Sequence, residues 1–124
     1  MNSMQKMVEE FHKKYKFKIN KTPTLIGEDL LKFRIQWIEE EIKELKDAGK
    51  SKNIVEMADG MGYAIYLILG LAVSMGIDLE PIFTEIHRSN MTKERSDKKI
   101  AKAIKGKNFI HPDILRELFK QGYN

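Results

Sequence analysis

A chain of 124 residues, of which 42% are hydrophobic and 32% charged, is long enough for one domain with a core and too short for two ordinary domains. The lack of cysteine excludes disulfides, thiolate metal sites and thiol nucleophiles, and it fits a reducing cytoplasm. The net charge of +4 favours anionic partners but is a weak pointer to nucleic acid. Because Glu9 and Glu10 interrupt a start without an apolar core, we expect no signal peptide. We therefore expect a single cytoplasmic domain over residues 1–124.

Two amphipathic helices are predicted in the first half of the chain. Apolar residues at positions 4, 8, 11 and 15 form a helical stripe, and the polar stretch NKTPT then breaks the pattern. From about residue 27 to residue 48, apolar residues step by four and three, which predicts a helix facing a core. These residues are Leu31, Ile35, Ile38, Ile42 and Leu45. We expect Gly49 to stop this helix and Asn53 to cap the next one.

The segment from about residue 54 to residue 76 is apolar on nearly every face. Residues 60–77 carry no charge, and eighteen uncharged residues just reach the lower bound for a membrane span. Four glycines, two tyrosines and a serine dilute this stretch, and its flanks lack a positive bias. We therefore interpret it as a central, fully buried helix of a bundle or dimer.

The last third of the chain predicts two shorter helices. Asp78 is expected to cap a helix that turns Ile82, Phe83 and Ile86 inward. After Asn90 the pattern loosens, and HPDILRELF closes the chain as a short helix. No segment has the pattern of a strand pair with a hairpin turn. The sequence therefore predicts an all-α fold, a bundle of four to five helices with a central apolar helix.

Four acidic residues stand at mirrored distances from the predicted turn near residues 49–53. Glu41 and Glu44 are three residues apart on one helix, and Glu56 and Asp59 are three apart on the next. In an antiparallel pair, Glu44 lies about 7 Å of axial rise before the turn and Glu56 about 5 Å after it. The carboxylates would then converge, with Asp59 substantially buried. Such hard oxygen ligands suit Mg²⁺, or Mn²⁺ in its place, with waters left for substrate phosphates to replace.

Structural roles stay open for each acid taken alone. Glu39 could face water and pair with Lys43, and Glu56 could belong to a capping box on Asn53. Glu41 and Glu44 could be surface acids. The joint arrangement is what favours a metal site, because both acid pairs mirror the same turn.

The stretches EEEIKEL, EMADGMGYAIYLI and GID…EIHRSNMTK together resemble the all-α nucleoside triphosphate pyrophosphohydrolases of the MazG-like superfamily. That group includes phosphoribosyl-ATP pyrophosphohydrolases and dCTP/dUTP pyrophosphatases. The resemblance covers most of the chain, from VEEFHKKY to KGKNFIHPDIL. It implies a helical bundle assembled as a dimer or a dimer of dimers, with the active site at the subunit junction. It also implies cleavage of a nucleotide between its α- and β-phosphates, which releases a monophosphate and pyrophosphate.

The resemblance also implies roles for individual residues. It makes magnesium ligands of the two acid pairs, Glu41 with Glu44 and Glu56 with Asp59. It implies that Glu40 orients or deprotonates the attacking water, and that Asn90 and Lys93 contact the substrate. The chain departs from many relatives at Tyr63, where they carry a second aspartate. Tyr63 would touch the base or sugar, or pack at the dimer interface.

Seven basic residues lie between positions 93 and 107, against two acids. Lys93, Lys105 and Lys107 are expected to balance the charge of the β- and γ-phosphates, since a triphosphate is strongly anionic. The other lysines are interpreted as a solvated face: Lys98, Lys99 and Lys102. We therefore expect a nucleoside triphosphate as partner, with neither a membrane nor nucleic acid.

Two alternatives compete with a nucleoside triphosphate pyrophosphohydrolase. A phosphoribosyl-ATP pyrophosphohydrolase shares the chemistry and differs only in substrate. A non-enzymatic basic module would bind nucleic acid or a partner through residues 93–107, with steep salt dependence. That second alternative leaves the sheltered acids unexplained, because they repel a phosphate backbone.

Overall fold

The computed structural model describes residues 1–96 and 102–124, and within them it contains five α-helices and one short strand pair. The helices are α1 (Ser3–Tyr15), α2 (Glu28–Lys50), α3 (Ile54–Met75), α4 (Leu79–Asn90) and α5 (Ile114–Lys120). The strands β1 (Glu94–Arg95) and β2 (Ala103–Ile104) are antiparallel. The all-α prediction is confirmed. The prediction of no strand pair is wrong, because two-residue strands carry too little pattern to detect.

Polar side chains begin four of the five helices in the described residues. Each accepts a hydrogen bond from a backbone N–H of the first turn: Asn2, Asn53, Asp78 and Asp113. The predicted caps Asn53 and Asp78 are therefore confirmed. The predicted end of α2 at Gly49 is wrong. The helix continues to Lys50, and the chain reverses through Ser51 and Lys52, which has a φ of 52°.

Helix α3 lies between α1 and α2 and runs antiparallel to both. On the α1 side, Val8 packs with Leu69 and Val73 in the core cluster. On the α2 side, Leu45 lies against Gly60, where a Cβ would stand only 3.3 Å from the Leu45 Cβ. This close approach brings together the helix ends that carry the two acid pairs.

Helix α3 buries one face only, so the prediction of a fully buried helix is wrong for the single chain. Seven of its 22 residues are buried. Its outward stripe, which we call the α3 apolar stripe, is exposed and consists of Ile54, Met61, Ile65 and Ile68. Among the described residues, α3 is the one helix long and apolar enough to cross a membrane by length and composition, with 22% of its most apolar window buried.

Helices α4 and α5 are joined by a group of ions that we call the Glu85 clasp. Glu85 is 4% exposed, and its carboxylate accepts hydrogen bonds from Arg88 Nε at 2.7 Å and from Arg116 Nη2 at 2.8 Å. These hydrogen bonds and charges lower the pKa of Glu85 below its ordinary value. The hydroxyl of Ser89 also donates to the carbonyl of Ile110 at 2.6 Å. The clasp therefore fixes the C-terminal segment to α4.

The predicted inward faces are correct in part. On α4, Ile82 is buried as expected, but Phe83 is 74% exposed and Ile86 is exposed too. The polar residues Glu85 and Ser89 take the inward positions instead, because α4 packs on α5 through the clasp. The predicted core stripe of α2 is only partly covered. Its half-buried residues are Leu31, Ile38 and Leu45, and its exposed residues are Ile35 and Ile42.

Candidate active site

The acids of α2 and α3 gather around Glu41. Its carboxylate is sheltered, and Oε2 is buried without a hydrogen-bond partner in the described part of the chain. Burial raises the pKa of Glu41, and the charge and hydrogen bond of Glu44 raise it further, as do the charges of Asp59 and Glu40. Several carboxylates therefore act on one buried oxygen, which is the electrostatic condition that favours a divalent cation.

The other acids are more open than the sequence predicted. Asp59 is exposed, so the prediction of substantial burial is wrong, because α1 and α2 cover the neighbouring faces of α3 and leave Asp59 on an open edge. Glu44 and Glu56 are exposed as well. The backbone N–H of Glu56 donates to Asn53 Oδ1 at 3.1 Å, so part of the capping interpretation is also correct.

No metal site is preformed in residues 1–96 and 102–124, where no group of three or more His, Cys, Asp or Glu side chains is placed to hold an ion. The donor chemistry nevertheless fits Mg²⁺. Glu41 offers an oxygen that lacks a partner in the described residues, and Glu44, Glu56 and Asp59 present exposed carboxylates, which are the oxygen ligands that Mg²⁺ prefers. The assignment of magnesium to these residues stays a prediction.

An aromatic groove of about 510 Å³ opens beside Asp59. Its walls are formed by Phe11, Ala58, Asp59, Gly62, Tyr63 and Tyr66. Asp59, Tyr63 and Tyr66 are spaced i, i+4 and i+7, so they share one face of α3. The ring of Phe11 meets that of Tyr66 edge-on, with centroids 5.6 Å apart. Tyr63, which is 54% exposed, therefore lies next to an acid in a groove with flat apolar walls.

A buried polar junction lies one helical turn beyond Tyr66, and sequence reasoning missed it. His12 of α1 is 1% exposed, and its Nδ1–H donates to the carbonyl of Lys18 at 3.0 Å. Its Nε2 accepts from Arg34 Nη2 at 3.4 Å, which requires the neutral tautomer. Burial lowers the pKa of His12, and the nearby charge of Arg34 lowers it further. These side chains meet over Gly70, where a Cβ would stand 2.6 Å from Arg34 Nη1.

Arg34 is a buried cation without a carboxylate in the described part of the chain. It is 7% exposed, burial lowers its pKa, and its Nε has no hydrogen-bond partner there. The guanidinium carbon lies 5.5 Å from the centroid of the Trp37 ring. The position of Arg34 in the sequence could have revealed that it faces inward. Arg34 stands seven residues before Glu41, so a cation occupies the same inward stripe of α2 as the acids.

The basic segment forms a second group of predicted site residues. Lys93 and Lys105 lie over Phe109, with Nζ atoms 6.0 and 5.3 Å from the ring centroid. Asn90 and Lys107 are exposed. This group is carried by α4 and the segment after it, and α4 packs mainly on α5, not on the acid-bearing end of α2 and α3. The predicted solvated lysines Lys98 and Lys99 lie outside the described residues.

The family profile of phosphoribosyl-ATP pyrophosphohydrolase matches residues 8–90. This span is more than half of the chain and contains both acid pairs, the aromatic groove and the His12–Arg34 junction. The chain belongs to the phosphoribosyl-ATP pyrophosphohydrolase family. Membership in this group of all-α pyrophosphohydrolases confirms the resemblance found in the sequence.

Membership in this family indicates that the chain is a pyrophosphohydrolase, which is a hydrolase that acts on the acid anhydrides of nucleotides. No curated protein matches the chain. The family match ends at Asn90, so the basic residues Lys93, Lys105 and Lys107 stand beyond it. The family match therefore covers the acids of the candidate site and does not extend to these lysines.

Proposed function

We propose that this protein is a Mg²⁺-dependent nucleotide pyrophosphohydrolase that cleaves ribo- or deoxyribonucleoside triphosphates between the α- and β-phosphates. The products are the monophosphate and pyrophosphate. One observation carries the proposal. The charges of Glu44 and Asp59 act on Glu41, whose Oε2 is buried without a partner in the described residues, and Asp59 also lines the aromatic groove. Family membership supports the class of reaction.

Each group of site residues has its own role in the proposed reaction. The ion would be held by the two acid pairs, Glu41 with Glu44 and Glu56 with Asp59. When bound, Mg²⁺, or Mn²⁺ in its place, neutralises phosphate charge and acidifies a water. Glu40, which is exposed beside Glu41, would accept the proton of the attacking water. Tyr63 contacts the nucleoside in the groove, while Lys93 and Lys105 balance the charge of the leaving pyrophosphate.

We further propose that the acting form is a dimer or a dimer of dimers. The α3 apolar stripe supports this, since its residues are 43% to 80% exposed in the single chain. The separate packing of α4 supports it too. The lysines that follow α4 of one copy would then serve the acids of another, which places the site at the subunit junction.

Phosphoribosyl-ATP is the second candidate substrate, because it gives the matching family its name. It carries the same α,β-anhydride, so the acid pairs would act on it in the same way. The two candidates differ only in what the groove must accommodate beyond the triphosphate.

A screen of pyrophosphate release tests the proposal. Purified protein with Mg²⁺ or Mn²⁺ is given ribonucleotides, deoxyribonucleotides, damaged nucleotides and phosphoribosyl-ATP. We expect release from at least one of them, loss of release in Asp59→Asn with the helical circular dichroism unchanged, and retention in the matched control Glu39→Gln. Intact triphosphate across the whole panel would overturn the proposal.

A further inference from the structure

We propose that Arg34 reads the base of the bound nucleotide and selects a base edge with two adjacent hydrogen-bond acceptors. Cytosine has such an edge at O2 and N3, and guanine has one at O6 and N7. This role rests on the proposed function for the identity of the ligand as a nucleotide. It adds a specificity-determining residue on α2 that is separate from the acids and from Tyr63.

The first support is that the guanidinium of Arg34 is buried with its donors incompletely used. Within residues 1–96 and 102–124 it forms no ion pair, its Nε lacks a partner, and its contact with His12 Nε2 is long at 3.4 Å. A buried charge without a partner destabilises the fold, and an apolar side chain of similar size would avoid that penalty. A ligand with acceptor atoms supplies the missing partners.

The second support is the position of Arg34 relative to the acids. Arg34 and Glu41 are seven residues apart on α2, two helical turns or about 10 Å along one stripe. On α3, Asp59, Tyr63 and Gly70 follow the i, i+4 and i+11 pattern of a single face, and Arg34 lies over Gly70. This face of α3 therefore runs from Asp59, past the two tyrosines of the aromatic groove, to the glycine under the guanidinium. Its length matches a nucleoside between its phosphate and the far edge of its base.

The third support is the way the junction orients Arg34. The neutral His12 ring holds Nη2 from one side, and the Trp37 ring lies at the guanidinium from another. Gly70 leaves the space that Nη1 occupies, since a Cβ there would stand 2.6 Å away. A guanidinium held by three elements presents its remaining donors in a fixed direction, which is the arrangement needed for selection between bases.

The hydrogen-bond chemistry of arginine decides which bases fit. Its guanidinium only donates, and it pairs best with two neighbouring acceptors. Adenine places an amino donor beside each ring acceptor on its two readable edges. Thymine and uracil place an N3–H donor between their carbonyl groups. Cytosine and guanine are the bases whose paired acceptors match Arg34.

Steady-state kinetics on four deoxynucleoside triphosphates tests the role. We expect the wild type to prefer dCTP or dGTP over dATP and dTTP in kcat/KM by about ten- to hundredfold. In Arg34→Met this ratio should fall close to one, mainly through loss on the preferred nucleotide. Lys32→Met is the matched control, because Lys32 is an exposed cation on the same helix, and it should keep the ratio. An unchanged ratio in Arg34→Met, or a wild-type preference for dATP or dTTP, would overturn the role of Arg34.

Two additions keep the result decisive. Calorimetric titration with dCMP, dGMP, dAMP and dTMP requires no turnover, so it tests base reading even if no triphosphate is cleaved and the proposed function fails. Tighter binding of dCMP or dGMP that is lost in Arg34→Met supports the role, and equal binding of all four overturns it. If Arg34→Met does not fold, Gly70→Ala displaces the guanidinium with its added methyl and should lower the same ratio.

Discussion

Leu45 of α2 and Gly60 of α3 are in such close contact that a Cβ on the glycine would stand 3.3 Å from the Leu45 Cβ. Leu45 follows Glu44 in the chain and Gly60 follows Asp59, so this contact sets the separation of the acid-bearing turns. We predict that Gly60→Val pushes the helices apart and weakens Mg²⁺ binding. The measurement is the rise in thermal midpoint on adding Mg²⁺, which a ligand of the folded state produces.

Gly62→Ala is the matched control for Gly60→Val. A Cβ on Gly62 has no neighbour within 4 Å, and alanine in a helix is favoured over glycine by about 1 kcal/mol. This variant should therefore gain stability and keep the Mg²⁺ response. A Gly60→Val protein with the wild-type response would show that the acids do not depend on this contact.

We predict that Glu41→Gln separates stability from function. In the presence of EDTA the variant should be more stable than the wild type, because it removes the charge that Glu44, Asp59 and Glu40 repel, and each like-charge pair costs about 0.2–0.5 kcal/mol. Its Mg²⁺-induced rise in thermal midpoint and its pyrophosphate release should both disappear. Denaturant unfolding in EDTA and in Mg²⁺ checks this, and a variant less stable than the wild type in EDTA would contradict it.

The buried His12 predicts a loss of stability in mild acid. Its pKa in the folded protein lies below the ordinary value of 6.5, so the unfolded chain binds more protons in that range. The contribution of His12 is complete above pH 6.5 and is lost as the pH falls through the folded pKa, with a slope of at most about 1.4 kcal/mol per pH unit. Urea unfolding between pH 7.5 and 5 measures this loss.

His12→Asn is the comparison for the pH experiment, because its amide can still donate to the Lys18 carbonyl without titrating. Its stability should change less than that of the wild type over the same pH range. Parallel pH profiles for the two proteins would contradict a buried, neutral His12.

The Glu85 clasp predicts an asymmetry between its members. Replacing both Arg88 and Arg116 by methionine leaves a buried carboxylate without its cations, whereas Glu85→Gln leaves two half-exposed arginines that return to water. The double arginine variant should therefore have the lower thermal midpoint. A larger loss in Glu85→Gln would contradict this account. Because the pKa of Glu85 is lowered, its contribution to stability should also be lost as the pH falls below the ordinary value of 4.5.

The α3 apolar stripe predicts which substitutions disrupt assembly. Ile65→Glu puts a charge at the middle of the stripe and should shift the protein toward monomer in light scattering. Leu25→Glu is the control, since Leu25 is an exposed apolar residue in the loop before α2, away from the stripe. Equal masses for the wild type and Ile65→Glu would show that another surface, or none, joins the subunits.

The helices were predictable from sequence because local rules determine them. Apolar steps of three and four marked α1 and α2, and the caps Asn53 and Asp78 begin α3 and α4 where expected. Helix geometry and one turn also predicted that the two acid pairs converge. The charges of Glu44 and Asp59 do raise the pKa of Glu41, but the described residues contain no group of three acids placed to hold an ion, so the four-carboxylate site stays a prediction.

What escaped prediction depends on contacts between distant segments. The sequence of α3 records an apolar surface but not whether its own chain or a second copy covers it. Asp59 was therefore predicted to be buried although it is exposed, and the α3 apolar stripe is uncovered in the single chain. Arg34 looks like an ordinary helical cation until α1 and α3 close around it. Glu85 likewise gains its role only when α5 returns to α4.

The Glu85 clasp affects how Lys93 and Lys105 of the basic segment are held before a ligand binds. The Arg116 and Ile110 contacts hold the stretch that follows Lys105 to α4, and Lys93 follows α4 directly, so these two lysines stand close to fixed points of the fold. The backbone that carries these two lysines therefore loses its conformational entropy during folding, before any anion binds. Lys93 and Lys105 would meet a phosphate as preorganised charges, and binding would not have to order them.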